Sequence, residues 1–347
     1  MGAGINKCTS VTFGNDSALA KSLGTRMSLD SIGNEAGGED AGNATSRSGI
    51  LAKNQKVFNV ARVADEASEL RKLQDRLVQA SRAGDFKKVV DAVAEGADVH
   101  SKTLRGQSPL MLASGSHSKG AKESVSFLVD TMADIEAKDE SGWTPLLHAC
   151  RNNQQEIVSY LLETNASLKA RTNDGKTAVM LAAMDSADSL VISLVQRKAQ
   201  IDKKDERGWS VLFFACEDGR HDLVKWLLKK QANARDKSKD NTTPLMVAAE
   251  NGSKKIGQKL AKKNGNINAR NVQGNTALMI SLRAQKEEFA EWLLEEGADV
   301  TARNGDDEDA LDIADMLGMH SIKNKLEMKA RLASEEVVAQ NTAAGMF

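Results

Sequence analysis

The residue types that most often perform chemistry in proteins are sparse in this chain, and their spacing argues against catalysis. The five histidines are His100, His117, His148, His221 and His320. None of them forms a metal-spaced pair with another histidine or a cysteine, and the sequence contains neither a serine, histidine and acid set nor a glycine-rich phosphate loop. We therefore expect no metal site, no cofactor and no enzymatic activity. We expect His148 to be a hydrogen-bonded residue of a helical core.

A fixed interval along the chain positions most of the other features. Gly142 is followed, at steps of 33 residues, by Gly175, Gly208, Asn241, Gly274 and Asp307. Self-similarity at this length is typical of small units that stack into a solenoid. Glycine, asparagine and aspartate are the residues that best tolerate a positive φ, so we predict a tight turn at each of these positions.

Each unit repeats the same sequence pattern, which is typical of two helices. Two residues after the turn comes a residue type that favours a helix N-cap, in turn Thr144, Thr177, Ser210, Thr243, Thr276 and Asp309. A second segment then places apolar residues at the spacing of one buried helix face. We predict a left-handed residue after each second helix, including the units where Met132, Lys198 or Gln231 takes the place of glycine or asparagine.

Written out, GWTPLLHAC at 142–150, DNTTPLMVAAENG at 240–252 and EEGADVTAR at 295–303 resemble the ankyrin repeat, in register from about residue 70 to about residue 327. The resemblance implies an all-α ankyrin repeat solenoid of stacked helix-turn-helix units with hairpin-like finger loops. We expect six repeats over 103–303, numbered 1 to 6 and beginning near residues 103, 139, 172, 205, 238 and 271. A helical leader with a degenerate first unit, 61–102, precedes them, and a capping unit, 304–327, follows.

The two ends of the chain differ from the repeats. Residues 1–60 are rich in small and polar residues without a period, which predicts disorder, and residues 328–347 are expected to form a helical or disordered tail. The opening MGAGINKC looks like an N-myristoylation signal with Gly2 as acceptor, although Asn6 replaces the usual serine or threonine. Cys8 could then carry a palmitate as a second anchor. The alternative is an unmodified tail.

Composition limits the partners and the compartment. There are 47 basic and 48 acidic side chains, so the net charge of -1 does not favour a specific nucleic-acid partner. Cys150 and Cys216 are 66 residues apart, which is two repeats and too far for a disulfide or a shared metal, so we interpret both as small core residues. No apolar run reaches the length of a membrane span. We expect a cytoplasmic monomer, with peripheral membrane contact if the N-terminus is acylated.

In the ankyrin family, finger tips and the exposed ends of the first helices line a concave groove that grips another protein. The resemblance therefore implies a protein-protein interaction scaffold or adaptor. The matching finger-tip positions are Glu140, Ser141, Trp143, Asn173, Asp174, Lys176, Glu206, Arg207, Trp209, Lys239, Asp240, Thr242, Val272, Gln273 and Asn275. The matching helix-end positions are Arg151, Asn152, Met184, Asp185, Glu217, Asp218, Glu250, Asn251 and Arg283.

The four tryptophans divide into two pairs of equivalent positions. Trp143 and Trp209 share a finger-tip position, and large aromatic residues are enriched among binding hot spots, so we predict that they anchor the partner. The alternative is that each packs against a neighbouring finger. Trp226 and Trp292 share a position on the second helix, where we expect them to pack between the outer helices.

A basic set of residues suggests a second interpretation. Arg197, Lys198, Lys229, Lys230, Lys262 and Lys263 close the second helices of repeats 3 to 5, and we name these six residues the basic strip. Lys254, Lys255 and Lys259 are near them in sequence. The alternative function is accordingly a membrane-peripheral or polyanion-binding module. The structural explanation is that cations are favoured at helix C-termini.

Overall fold

The computed structural model describes residues 48–344, and it describes side chains over residues 65–332. The chain divides into two compact units, Met1–Val63 and Ala64–Phe347, and all of the repeats lie in the second. The described residues form sixteen α-helices and no strand, with one isolated bridge between Arg171 and Thr177. The predicted all-helical class is thereby confirmed.

The helices of the second unit come in pairs, one pair for each repeat. The leading unit contains the end of α1 (Ser48–Ala83) and α2 (Phe86–Ala94). Repeats 1 to 3 contain α3 (Pro109–Ser114), α4 (Ala121–Asp130), α5 (Pro145–Arg151), α6 (Gln155–Glu163), α7 (Ala178–Met184) and α8 (Asp188–Gln196). Repeats 4 to 6 contain α9 (Val211–Glu217), α10 (His221–Lys229), α11 (Pro244–Asn251), α12 (Lys254–Lys262), α13 (Ala277–Arg283) and α14 (Glu287–Glu295). The closing pair is α15 (Ala310–Met316) and α16 (His320–Ala344).

The first helices of neighbouring repeats pack against one another, and so do the second helices. A small residue in the middle of each first helix is fully buried, which permits this close approach. These residues are Ala113, Ala149, Ala182, Ala215, Ala248, Ser281 and Ala314. Cys150 and Cys216 are buried and free, as predicted for small core residues, and burial raises the pKa of both thiols.

The start of α1 differs from the predicted boundary. Residues 48–60 are helical, whereas their composition predicted disorder, and no glycine or proline interrupts the chain from Ile50 to Ala83. At the repeat end of this helix Leu77 is buried and Leu73 packs against the core, whereas Leu70 is exposed. Residues 1–47 lie outside the described residues, and so do the predicted acylation sites Gly2 and Cys8.

The predicted turns are confirmed. Every marker residue has a positive φ, from 59° at Asp307 to 83° at Gly208. Met132, Lys198 and Gln231 also adopt left-handed conformations after their second helices, with φ of 68°, 70° and 69°. The threonine N-caps accept hydrogen bonds from the third helical residue, as in Leu147 N–H to Thr144 Oγ1, whereas Ser210 makes no such bond.

A third left-handed position, between the two helices of every unit except repeat 1, was not predicted from the sequence. Its residues are Gly84, Asn153, Ser186, Gly219, Gly252, Gln285 and Gly318. Gly106 and Gly142 are 36 residues apart, so repeat 1 exceeds the period of 33 and has a longer loop between its two helices. This loop packs on the first of these turns, because Ser118 Oγ donates to the Gly84 carbonyl at 3.1 Å. That loop therefore has a structural role.

Trp292 shows how one repeat accommodates the next. The ring is buried, its Nε1–H donates to Glu296 at 3.0 Å, and it packs edge-on against Phe289. Gly257 of α12 makes the necessary space, because a Cβ atom there would lie 2.5 Å from the Trp292 ring. Its equivalents in repeats 2 to 4 are Val158, Val191 and Val224. Trp226, which follows a valine repeat, is only half-buried.

We expect Gly257→Ala to destabilise the protein although alanine favours helices. The added methyl group overpacks the contact with Trp292 and Phe289, which typically costs about 1–3 kcal/mol and exceeds the helix-propensity gain of about 1 kcal/mol. Urea unfolding followed by circular dichroism measures the change. Lys255→Ala, at an exposed position of the same helix, is the control, and an equal effect of both substitutions would contradict the packing explanation.

Candidate partner-binding surface

A ladder of backbone hydrogen bonds joins the seven fingers. The residue after each finger base donates its N–H to a carbonyl of the preceding finger, at distances from 2.8 to 3.1 Å. The donor and acceptor pairs are Glu140 and Arg105, Asn173 and Ser141, Glu206 and Asp174, Lys239 and Arg207, Val272 and Asp240, and Gly305 and Gln273. The ladder fixes the spacing of the predicted tip residues, because most of them belong to it.

A short polar residue at the base of each finger holds its turn from within. These residues lie three positions before the left-handed residue and mark fingers 1 to 7 in chain order: Thr103, Asp139, Thr172, Asp205, Ser238, Asn271 and Asn304. Asp205 Oδ1 accepts from the N–H groups of Arg207 and Trp209 at 2.9 and 2.8 Å. These base residues were not predicted from the sequence. The pattern that indicates them is a residue with a side-chain oxygen at the equivalent position of every unit.

Finger 2, which begins at Asp139, links its turn to a half-buried histidine. Asp139 Oδ1 accepts from Ser141 N–H and Trp143 N–H at 3.0 and 2.9 Å, and Asp139 Oδ2 lies 3.2 Å from His148 Nε2. The His148 ring packs against Trp143, with ring centroids 5.2 Å apart. Burial lowers the pKa of His148, although the hydrogen bond and charge of Asp139 oppose that shift. His148 is therefore the predicted hydrogen-bonded core residue.

Finger 4 supports its tryptophan in a different way. Trp209 stacks on Phe213 and meets Phe214 edge-on, with ring centroids 5.3 and 5.4 Å apart. The Arg207 guanidinium lies 4.2 Å from the Trp209 ring centroid on the exposed side. Trp143 and Trp209 thus both pack on the first helix of their own repeat and stay half-buried.

Burial also raises the pKa of Glu217, and the nearby Arg207 opposes that shift.

About half of the predicted contact residues are engaged within the array. Arg151 pairs with Asp185 at 3.0 Å, and Asn152 donates to the His148 carbonyl at 2.9 Å. The other engaged residues include Asn173, Asp174, Lys176, Asp240, Thr242, Asn251, Asn275 and Arg283. Asp218 lies 3.8 Å from Arg220. These side chains brace neighbouring fingers and helices.

The other predicted side chains face solvent. Within the described residues, no side-chain hydrogen bond or ion pair is made by Glu140, Glu206, Glu217, Lys239 or Gln273, all of which are exposed. Finger 1 adds Leu104, which is fully exposed, and Arg105, which lines a groove of about 530 Å³ together with Glu140, Trp143 and Arg151. Finger 1 was not among the predicted tips, although the turn at Gly106, 36 residues before Gly142, marks it.

Two features are absent from the described residues. They contain no group of three or more His, Cys, Asp or Glu side chains arranged to hold a metal ion. Within the same part of the chain, no helix combines the length and the apolar character that are needed to cross a membrane.

The paired helices, left-handed turns and hydrogen-bonded fingers define an all-helical repeat protein. A family model described as Ankyrin repeats (3 copies) matches residues 77–172, 165–238 and 230–304. The chain belongs to the ankyrin repeat family. A comparison with individual curated proteins found no match. Ankyrin repeats are generally protein-protein interaction modules, and the family is typically non-catalytic.

We expect Asp139→Ala to loosen finger 2, because two backbone N–H groups lose their acceptor at a cost of about 1–3 kcal/mol in total. Hydrogen exchange of the Ser141 and Trp143 amides should accelerate, and the urea midpoint should fall. Asp139→Asn retains an acceptor oxygen and should exchange nearly as slowly as the wild type. Equal acceleration in both variants would show that the charge, not the acceptor, holds the turn.

We expect His148 to make stability depend on pH. Its pKa is lower in the folded protein than the ordinary value of 6.5, so the unfolded state takes up a proton first as the pH falls. Stability is therefore full above pH 6.5 and declines below it, by up to about 1 kcal/mol near pH 5.5. His148→Gln should flatten this decline in urea unfolding, whereas His117→Gln, at an exposed position, should leave it unchanged. An equally steep decline without the imidazole would assign the effect to other groups.

Proposed function

We propose that this protein is a non-catalytic scaffold or adaptor that binds a partner protein through the finger tips and the ends of the first helices. The observation that carries the proposal is the pair Trp143 and Trp209, half-exposed at equivalent positions two repeats apart. With neighbouring repeats about 10 Å apart, the two rings would reach a partner about 20 Å apart.

The support beneath each ring favours binding. Trp143 packs against His148, and Trp209 packs against Phe213 and lies near Arg207, so both rings are largely ordered before a partner binds. Pre-organised tryptophans surrounded by polar groups are typical of hot spots. The exposed charged groups of Glu140, Glu206 and Lys239 would orient the partner and select it by charge.

The same proposal includes the N-terminus and the compartment. We infer a cytoplasmic monomer whose leading segment tethers the repeats, with acylation at Gly2 and Cys8 as the route to a membrane. Support comes from the opening sequence alone. Intact mass of the N-terminal peptide from native cells decides it, since a myristoyl group adds a defined mass and an unmodified Gly2 would remove the lipid tether from the proposal.

The experiment is affinity capture by the full chain from native extract, followed by mass spectrometry. We expect Glu140→Lys with Glu206→Lys to lose the specific partner, and to retain the thermal midpoint, because neither side chain has a partner within the described residues. Glu123→Lys with Glu163→Lys makes the same charge change at exposed positions of second helices and should retain binding. Equal capture by both double variants would contradict the assignment of the surface.

The tryptophans are tested with the captured partner. We expect Trp143→Ala with Trp209→Ala to weaken its binding at least a hundredfold, because each hot-spot side chain typically contributes about 2 kcal/mol or more. Trp226→Phe, on a second helix, should leave affinity unchanged. Calorimetry measures both, and circular dichroism verifies that the double variant is folded. Unchanged affinity in a folded double variant would exclude the tryptophans as anchors.

A further inference from the structure

We propose that the basic strip is a docking surface for an anionic lipid bilayer, separate from the finger surface. Arg197, Lys230 and Lys263 occupy one position, the C-cap of the second helix, in three successive repeats. Lys229 and Lys262 precede two of them, and Lys198 follows the first. All six side chains are exposed.

The six cations of the strip have no acidic partners within the described residues. Elsewhere, residues 34 positions apart on neighbouring second helices form ion pairs, as in Lys122 with Glu156 at 3.1 Å and Lys325 with Glu291 at 2.6 Å. In the strip, the same stacking places cation beside cation instead. The Lys230 ammonium lies over the face of Trp226, 5.6 Å from its centroid. Glu296, one repeat beyond Lys263, accepts from Trp292.

The fold itself does not require these charges. In repeats 1 and 2 the C-cap position holds Thr131 and Thr164, whose hydroxyls donate to the last carbonyls of the helix at 3.0–3.1 Å. A neutral residue thus meets the needs of the helix end at this position. The preference of cations for helix C-termini is worth only a few tenths of a kcal/mol to about 1 kcal/mol at exposed sites. It therefore does not account for three successive cations with unpaired neighbours.

Adjacent grooves extend the positive surface. Lys169, Arg171, Arg197, Lys198 and Lys203 line a groove of about 450 Å³, and the described residues that line it include no acid. The next groove, of about 510 Å³, is lined by Lys198, Lys203 and Lys230, with Asp202 as its single acid among the described lining residues. Burial raises the pKa of Asp202, and nearby Asp236 adds to that shift.

Three residues do not belong to this surface. Lys254 pairs with Glu288 at 3.6 Å. Lys254 and Lys255 are the first two residues of α12, whereas Lys262 is its last. A helix of nine residues separates its two ends by about 12 Å. Lys259 is half-buried within the same helix. The proposal therefore rests on the six residues of the basic strip.

The chemistry of the strip favours a lipid surface over nucleic acid. Five of its six residues are lysines, flexible point charges that need no fixed geometry. Single-stranded nucleic acid is held by aromatic stacking, whereas in the described residues the strip places a cation, Lys230, over the face of Trp226. Duplex reading needs a helix or ribbon that enters a groove, whereas here the cations lie side by side at helix ends. Rows of lysines suit attraction to anionic headgroups.

The test is vesicle co-sedimentation of the full chain, produced without acylation and verified by intact mass. The probes are vesicles of phosphatidylcholine alone and of phosphatidylcholine with about 30% phosphatidylserine. We expect binding only to the anionic vesicles, and weaker binding at high salt. Binding that ignores both the anionic lipid and the salt would overturn the proposal.

The decisive variant is Arg197→Thr, Lys230→Thr and Lys263→Thr together, which installs the residue that repeats 1 and 2 already carry there. We expect vesicle affinity to fall about a hundredfold, since each cation near an anionic surface contributes about fivefold. Lys87→Gln, Lys119→Gln and Lys329→Gln remove the same charge from exposed, distant positions and should bind nearly as the wild type does. Equal loss in both triple variants would overturn the proposal.

Two further experiments complete the test. Lys229→Gln with Lys262→Gln is a second strip variant, should circular dichroism show that the threonine variant is unfolded, and it should lower affinity more than tenfold. A gel-shift titration with single- and double-stranded oligonucleotides runs in parallel. Strip-dependent binding to an oligonucleotide without binding to anionic vesicles would replace the lipid by nucleic acid and overturn the proposal.

Discussion

The structure depends on contact between neighbouring repeats, because no repeat encloses a core of its own. Each first helix offers a fully buried small residue, such as Ala182 or Ala215, and the next first helix packs directly against it. The fingers repeat this dependence through backbone hydrogen bonds. Stability in such an array is a sum of neighbour terms, so the two ends need caps. Leu77 of α1 and Leu326 of α16, both buried, provide them.

Because the repeats stack, residues at equivalent positions of different repeats can be compared directly. Where Val158, Val191 and Val224 fill one position of the second helix, Gly257 leaves it empty, and the large Trp292 ring of the next repeat occupies the space. The exchange of size between two repeats preserves the packing density of the interface. A substitution in one repeat is therefore interpreted through its neighbour, which explains why a helical glycine can be stabilising here although its propensity is poor.

The sequence predicted the fold well because its period is a direct consequence of the repeated geometry. The turn residues, the threonine caps and the left-handed Met132, Lys198 and Gln231 all follow from register alone. The site was less predictable. Whether Arg151 faces a partner or pairs with Asp185 depends on the residue 34 positions later, and whether Trp143 is supported depends on His148. Such choices depend on three-dimensional neighbours, which a motif of one repeat does not contain.

Net charge was a poor guide for the same reason. The value of -1 for the whole chain averages over equivalent positions whose charge changes from one repeat to the next. At the C-cap of the second helices the residues are neutral in repeats 1 and 2, cationic in repeats 3 to 5 and acidic at Glu296 in repeat 6. Because stacking aligns them, a local positive surface with defined limits arises in a nearly neutral protein. The finger tips and the second-helix ends are different parts of each repeat, so one array can present two surfaces without either constraining the other.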